Sequence, residues 1–209
     1  MTDLILEWLL SNNIELLGAI LGILYIIFSI RQNILTWPTG LLTSALYVAV
    51  FFKSKLYADM GLQVYYVAIS LYGWYFWIKG NKPQNSQKVP VKKTSKVLWA
   101  KLSLTSLVLY VIILYVLLNW TNSDVPHMDA MTTALSIVAT WMLARKYIEH
   151  WLFWIFIDAF SAGLYVYKGL WPTVILFTVY TVMAALGYTE WQKDLKSNEP
   201  KKNNVSDWD

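Results

Sequence analysis

The sequence predicts an all-α membrane protein of seven transmembrane helices, arranged as two parallel triple-helix bundles joined by one further helix. Three observations predict it. The 209 residues are 57% hydrophobic and 14% charged, with mean hydropathy +0.43, a balance that would leave too much apolar surface uncovered in water. The apolar residues fall in continuous runs, not in the alternating ~10-residue segments of a transmembrane barrel. Residues 15–77 also recur in register, without a gap, as residues 129–191, an offset of 114.

Apolar runs near residues 14–30, 36–52, 57–78, 98–118, 129–144, 150–168 and 171–190 each approach the ~20 residues with which a helix crosses a ~30 Å hydrocarbon layer. The first three belong to a first repeat within residues 1–80, and the last three to a second within 128–191. At the repeat offset Arg31 falls on Arg145, Trp37 on Trp151, Tyr66 on Tyr180, Gly73 on Gly187 and Trp77 on Trp191. Residues 81–127 supply a polar linker and the fourth span, Trp99 to Leu118, which has no counterpart. An unpaired helix between two three-helix units gives both the same orientation, so the arrangement is three plus one plus three about an axis along the membrane normal. Small residues four apart, Gly18 and Gly22 in one copy and Thr132 and Ser136 in the other, are expected to let helices approach closely.

Met1–Asn13 carries Asp3 and Glu7 but no Lys or Arg, so the first span is expected to stay in the mature protein. The stretch from Lys79 to Lys96 reads as a flexible cytoplasmic linker, and residues 192–209 as a disordered tail. Lysines and arginines fix the orientation. Arg31, Arg145, Lys146 and the basic residues of linker and tail share one side, and only Lys53, Lys55 and Lys168 lie opposite, which places the amino terminus outside and the carboxyl terminus in the cytoplasm. The net charge of +4 is thus spread over loops, and a nucleic-acid partner is not expected.

Several chemistries are excluded or unsupported. No cysteine is present, and His127 and His150 fall in loops on opposite faces, where each reads as an ordinary interfacial residue unable to share a metal. No nucleotide-binding glycine loop or acid–base constellation appears, so neither an enzyme, a cofactor nor an ATP-driven pump is expected.

Ionisable side chains inside a span are the best pointers to a solute path, because leaving them unsatisfied in lipid is costly. Asp158 is the clearest, about 10 Å along the sixth span from Trp151. Trp151, Trp154 and Asp158 stand at i, i+3 and i+7, one stripe with two indole faces and a carboxylate, which suits a flat cation. The competing readings are an interfacial belt for Trp151 and a structural helix pair for Asp158. The first copy has Gly40 and Ser44 at the positions of Trp154 and Asp158, so the site is not symmetric. Asp59, Gln63, Tyr66 and Ser70 form a second stripe on the third span, with Tyr180 at the position of Tyr66 in the second copy. Gln63 can donate to and accept from an amide or a ring nitrogen of a solute, with a helix-to-helix hydrogen bond as the competing reading, and Asp59 near the outer mouth can steer cations. Of the aromatic cluster Tyr72, Trp74, Tyr75 and Trp77, most read as belt residues, with Trp74 held open as pocket-lining.

Lys55–Tyr57 with Leu62-Gln63-Val64 and Tyr72-Gly73-Trp74-Tyr75, then Ala144-Arg145-Lys146-Tyr147 leading into Trp151-Leu152-Phe153-Trp154 with Asp158, resembles the two repeats of the PnuC vitamin transporters. The resemblance covers most of the chain. It implies a duplicated fold like that of SWEET sugar transporters, a homotrimer in the bacterial inner membrane, and facilitated diffusion of nicotinamide riboside or a related B vitamin, trapped by a cytoplasmic vitamin kinase. By the family pattern Trp151, Trp154, Asp158 and Gln63, with Trp74, line the vitamin site. Family members often carry asparagine at the Asp158 position, a small residue at Asp59 and glutamine at Thr140. The added carboxylates favour a cation, and thiamine stands as the alternative to nicotinamide riboside. A seven-helix receptor without transport activity is the alternative of a different class, and the duplication speaks against it.

Overall fold

The computed structural model describes residues 13–53, 57–80 and 89–197. Among the described residues there are seven helices and no strand: α1 (Asn13–Ile30), α2 (Thr36–Lys53), α3 (Tyr57–Lys79), α4 (Lys96–Trp120), α5 (Pro126–Ala144), α6 (His150–Tyr167) and α7 (Trp171–Ser197). They follow the seven apolar runs closely. By length and composition α4 and α7 are each apolar enough to cross a membrane.

Helix packing forms a ring. α1 packs on α2 and α7, α3 on α2 and α5, and α6 on α5 and α7, so six helices enclose a centre while α4 lies outside against α5. Leu102 of α4 packs with Val138 and Met142, whereas Leu104, Val108, Val111 and Leu118 face outward, as expected of a helix whose surroundings are lipid.

The register of the repeat reappears bond for bond where α1 turns into α2 and α5 into α6. Gln32 N donates to Ser29 O and Asn33 N to Phe28 O; at the same offset Lys146 N donates to Leu143 O and Tyr147 N to Met142 O. This pair of bonds ends a helix with one residue in the left-handed region, ordinarily glycine. Here the residues are Gln32 (φ 50°) and Lys146 (φ 57°), so each accepts a backbone cost that glycine would avoid. Their side chains explain why. Lys146 Nζ donates to Gln32 Oε1 at 2.8 Å, Gln32 Nε2 donates to Asp194 at 3.0 Å, and the ammonium lies 4.5 Å over the Trp77 ring. Equivalent positions of the two repeats thus meet side chain to side chain.

The core gathers at this same end. Trp37 and Trp77 meet edge to face at 5.3 Å, as do Trp151 and Trp191 at 5.8 Å. Trp77 Nε1 donates to Ala144 O and Trp191 Nε1 to Ser29 O, each indole crossing to the opposite repeat. Trp77 is therefore buried core, not a belt residue. A belt tryptophan and a core tryptophan have the same side chain, and only the long-range acceptor distinguishes them.

Two further expectations are corrected. The linker is not flexible throughout, because Val89 and Val91 are buried and Lys92 pairs through its backbone with Lys146 O and Ile148 N at 3.0 Å. Thr94 then donates its N–H and hydroxyl to the Glu149 carboxylate at 2.7–3.1 Å, and Ser95 caps α4. The expected tail also begins later, since α7 runs on to Ser197 and Asp194 holds Gln32. Residues 1–12, 54–56, 81–88 and 198–209 lie outside the described residues, and with them the rest of the expected linker and tail. Glu149→Ala leaves the Thr94 donors without their charged acceptor, so it is expected to cost about 1–3 kcal/mol, read as a lower unfolding temperature in detergent. No change would mean that the docked linker adds nothing to stability.

Candidate functional site

A cavity of about 560 Å³ lies inside the six-helix ring. Its walls come from α1 (Gly22, Tyr25, Ser29), α3 (Gln63, Tyr66), α5 (Ser136), α6 (Trp151, Trp154, Asp158) and α7 (Tyr180), so both repeats contribute. A side lobe of about 270 Å³ shares Tyr25, Gln63, Tyr66 and Trp154 with it and extends past Gly40, Ser44 and Thr140.

Local packing explains how these side chains come to face inward. Trp151 stands in the first turn of α6, and a Cβ on Gly187 of α7 would lie 2.6–2.7 Å from its ring carbons, so the indole lies flat on bare backbone. At the equivalent place Gly73 receives the Trp37 ring. Trp154 and Asp158 follow Trp151 at helical spacing and so share its inward stripe. Gly22 leaves room for Tyr180, whose hydroxyl would be 2.7 Å from a Cβ there, and Gly18 leaves room for Tyr47 in the same manner. The glycines of α1 therefore seat tyrosines rather than a neighbouring helix backbone.

Asp158 is buried, at 6% exposure, and among the described residues no Lys or Arg lines either lobe. Among the described residues no ion pair to Asp158 is formed. The structural alternative for Asp158, a charge pair between helices, thus has no partner here. The half-buried Trp154 indole and the amide of Gln63 share the cavity wall with this carboxylate, among tyrosines, apolar side chains, small hydroxyl residues and His150.

Of the nine candidate residues, Gln63, Tyr66, Trp151, Trp154, Asp158 and Tyr180 line the main cavity and Thr140 the side lobe. The Thr140 hydroxyl is already used, donating to Ser136 O at 2.7 Å. Trp74 is not among the lining residues and packs against the tryptophan core. Asp59 lies in the first turn of α3, and its side chain is outside the described residues. Trp151 is 3% exposed, inconsistent with a belt position.

Sequence reasoning missed Tyr25, Tyr47, Ser29 and His150. His150 requires a correction: it is no interfacial residue but fully buried, at the cavity wall, with its ring 4.5 Å from Trp151 and 4.7 Å from Trp191. The signal was available in the repeat. His150 falls on Thr36, whose hydroxyl donates to Asn33 O, and His150 Nδ1 donates to Tyr147 O, the same bond at the same offset. A residue in that position belongs to the turn that starts the helix and faces the core.

Comparisons with known proteins agree with this architecture. Residues 12–193 match the sequence profile of the family described as nicotinamide mononucleotide transporter. The nicotinamide riboside transporter PnuC of Escherichia coli is 28% identical over 202 residues, covering 85% of this chain and 84% of that protein. The riboflavin/roseoflavin transporter RibM of Streptomyces davaonensis is 26% identical over 185 residues, covering 85% and 83%. The crystal structure of the vitamin B3 transporter PnuC superposes with a TM-score of 0.73 over 93% of this chain and 87% of that one, at 23% identity.

Proposed function

Because this chain belongs to the nicotinamide mononucleotide transporter family, the PnuC family of vitamin transporters, we propose that it carries a flat cationic vitamin precursor, nicotinamide riboside first, across the membrane by facilitated diffusion. The family is one of membrane transporters, not of enzymes. The observation that carries the choice of cargo is Asp158, a buried carboxylate in the cavity wall with no cationic side chain beside it. A buried charge left unpaired is expensive, and a cationic cargo supplies the missing partner. Trp154 offers an indole face to the same cation, an attraction of about 2 kcal/mol when water is excluded. Relatives include a riboflavin carrier as well as riboside carriers, and a lone acidic residue in the wall favours the positively charged ring over a neutral one.

In this reading all seven helices span the membrane as two parallel triple-helix bundles joined by α4, with the amino terminus outside, and alternate access comes from rocking of one bundle on the other. A cytoplasmic kinase that phosphorylates the cargo would trap it, in keeping with a chain that shows no nucleotide-binding motif. The resemblance to PnuC transporters adds a homotrimer in the bacterial inner membrane. Thiamine, also a flat cation, is the second candidate cargo.

Uptake of labelled nicotinamide riboside and thiamine into proteoliposomes, with the matching kinase enclosed or omitted, tests the proposal. Saturable riboside flux that ends at equal concentrations without kinase, and accumulates with it, is the expected result. Saturable flux of thiamine alone would transfer the reading to that cargo. Absence of saturable flux for both would overturn it.

A further inference from the structure

Three buried polar atoms on residues that line the main cavity have no partner, Trp151 Nε1, His150 Nε2 and Ser29 Oγ, and the last two belong to side chains that are 0% and 2% exposed. Leaving such groups unsatisfied costs about 1–3 kcal/mol each, so their survival calls for a ligand.

Their neighbours do not satisfy them. Serines and threonines inside helices commonly bond the carbonyl four residues back, and Thr43, Thr140, Thr178 and Thr181 of this chain all do so. Ser29 does not. Its backbone carbonyl receives Trp191 Nε1 at 3.1 Å while its hydroxyl stays free. The Tyr147 carbonyl can only accept, so His150 Nδ1 carries the proton in their 2.7 Å bond, and Nε2 of the neutral ring is left as an acceptor.

The two residues are neighbours through Trp191, which packs on the imidazole and bonds the serine carbonyl. They are also where the repeats differ. His150 replaces the self-satisfied Thr36 of the first copy, and Ser29 stands where the second copy has Leu143. Each copy thus carries an unpartnered polar atom at this level where its counterpart has none.

We propose that Ser29 and His150 form a second subsite, which receives a hydroxyl-bearing substituent of the cargo while Trp154 and Asp158 hold its charged ring. A hydroxyl is the group that fits, because it can donate to the imidazole nitrogen and also accept from the serine. His150 and Asp158 are eight residues apart on α6, roughly 12 Å along its axis, with Trp154 midway. That separation suits a cargo built of two linked rings, the second a polyhydroxylated sugar. The inference rests on the cationic-cargo reading and adds a reason for the sugar to matter.

The test compares two cations that share one ring: nicotinamide riboside and 1-methylnicotinamide, which lacks the sugar. Affinities are measured by titration calorimetry on purified wild type, Ser29→Ala and His150→Phe. Wild type is expected to prefer the riboside, and each variant to bind it about tenfold more weakly, with the change for the methyl analogue within about twofold. Phenylalanine keeps the packing on Trp151 and Trp191; should it nonetheless unfold the protein, Ser29→Ala removes only one unpartnered hydroxyl and decides alone. Equal affinity of wild type for both cations, or an unchanged preference in Ser29→Ala, overturns the subsite and leaves the cationic-cargo reading standing. Binding of neither cation by wild type overturns both.

Discussion

Asp158→Asn is expected to weaken binding of a cationic cargo by about 10- to 100-fold, with no loss of fold, because it removes the one carboxylate among the described residues lining the cavity and keeps its shape. The effect has a signature that a structural role would not give. A neutral ring such as nicotinamide never used the charge, so its affinity should change little. The unfolding temperature should stay level or rise, since the substitution removes a buried charge that no described side chain pairs. Calorimetry with both solutes, together with thermal unfolding in detergent, reads all three quantities. An unchanged affinity for the cation would remove the counter-charge role. An equal loss for the neutral ring would instead make Asp158 a shaping residue.

The course of the helices was legible because lipid imposes a simple rule: a span must be long, apolar and continuous. The offset of 114 residues aligned Trp37 with Trp151 and Gly73 with Gly187, and the structure seats each of these indoles on the glycine of its own repeat and joins Gln32 to Lys146, which the same offset relates. The same comparison singled out Trp154 and Asp158 as departures from symmetry, and both face the cavity. What stayed hidden were roles set by partners far away in the chain. Trp77 and Trp74 look alike in sequence, yet one donates to Ala144 in the other repeat and neither lines the cavity. Val89 and Val91 sit in a polar stretch, and only the backbone pairing of Lys92 with Lys146 and Ile148 shows why they are buried. His150 looked interfacial because the expected spans put it in a loop at one membrane face; in the structure it is buried, with the Trp151 and Trp191 rings against it.

Gly187→Ala should be the most damaging methyl group that can be added to this protein's second repeat. The new Cβ would lie 2.6 Å from the Trp151 ring, and that ring has nowhere to go, with His150 on one side, Trp191 on another and 3% of its surface exposed. Overpacking of this kind costs about 1–3 kcal/mol where neighbours can yield, and more where they are rigid aromatics. Any relief must move α6 away from α7, and α6 carries Trp154 and Asp158, so cargo affinity should fall together with stability. Gly163 in the same helix α6 is the control. A Cβ there meets nothing within 4 Å, so Gly163→Ala should hold or raise the unfolding temperature through helix propensity alone, worth up to about 1 kcal/mol. If Gly187→Ala and Gly163→Ala behaved alike, the contact between backbone and indole would not be what fixes α6 against α7. The binding stripe would then owe its position to the rest of the helix interface and not to Trp151.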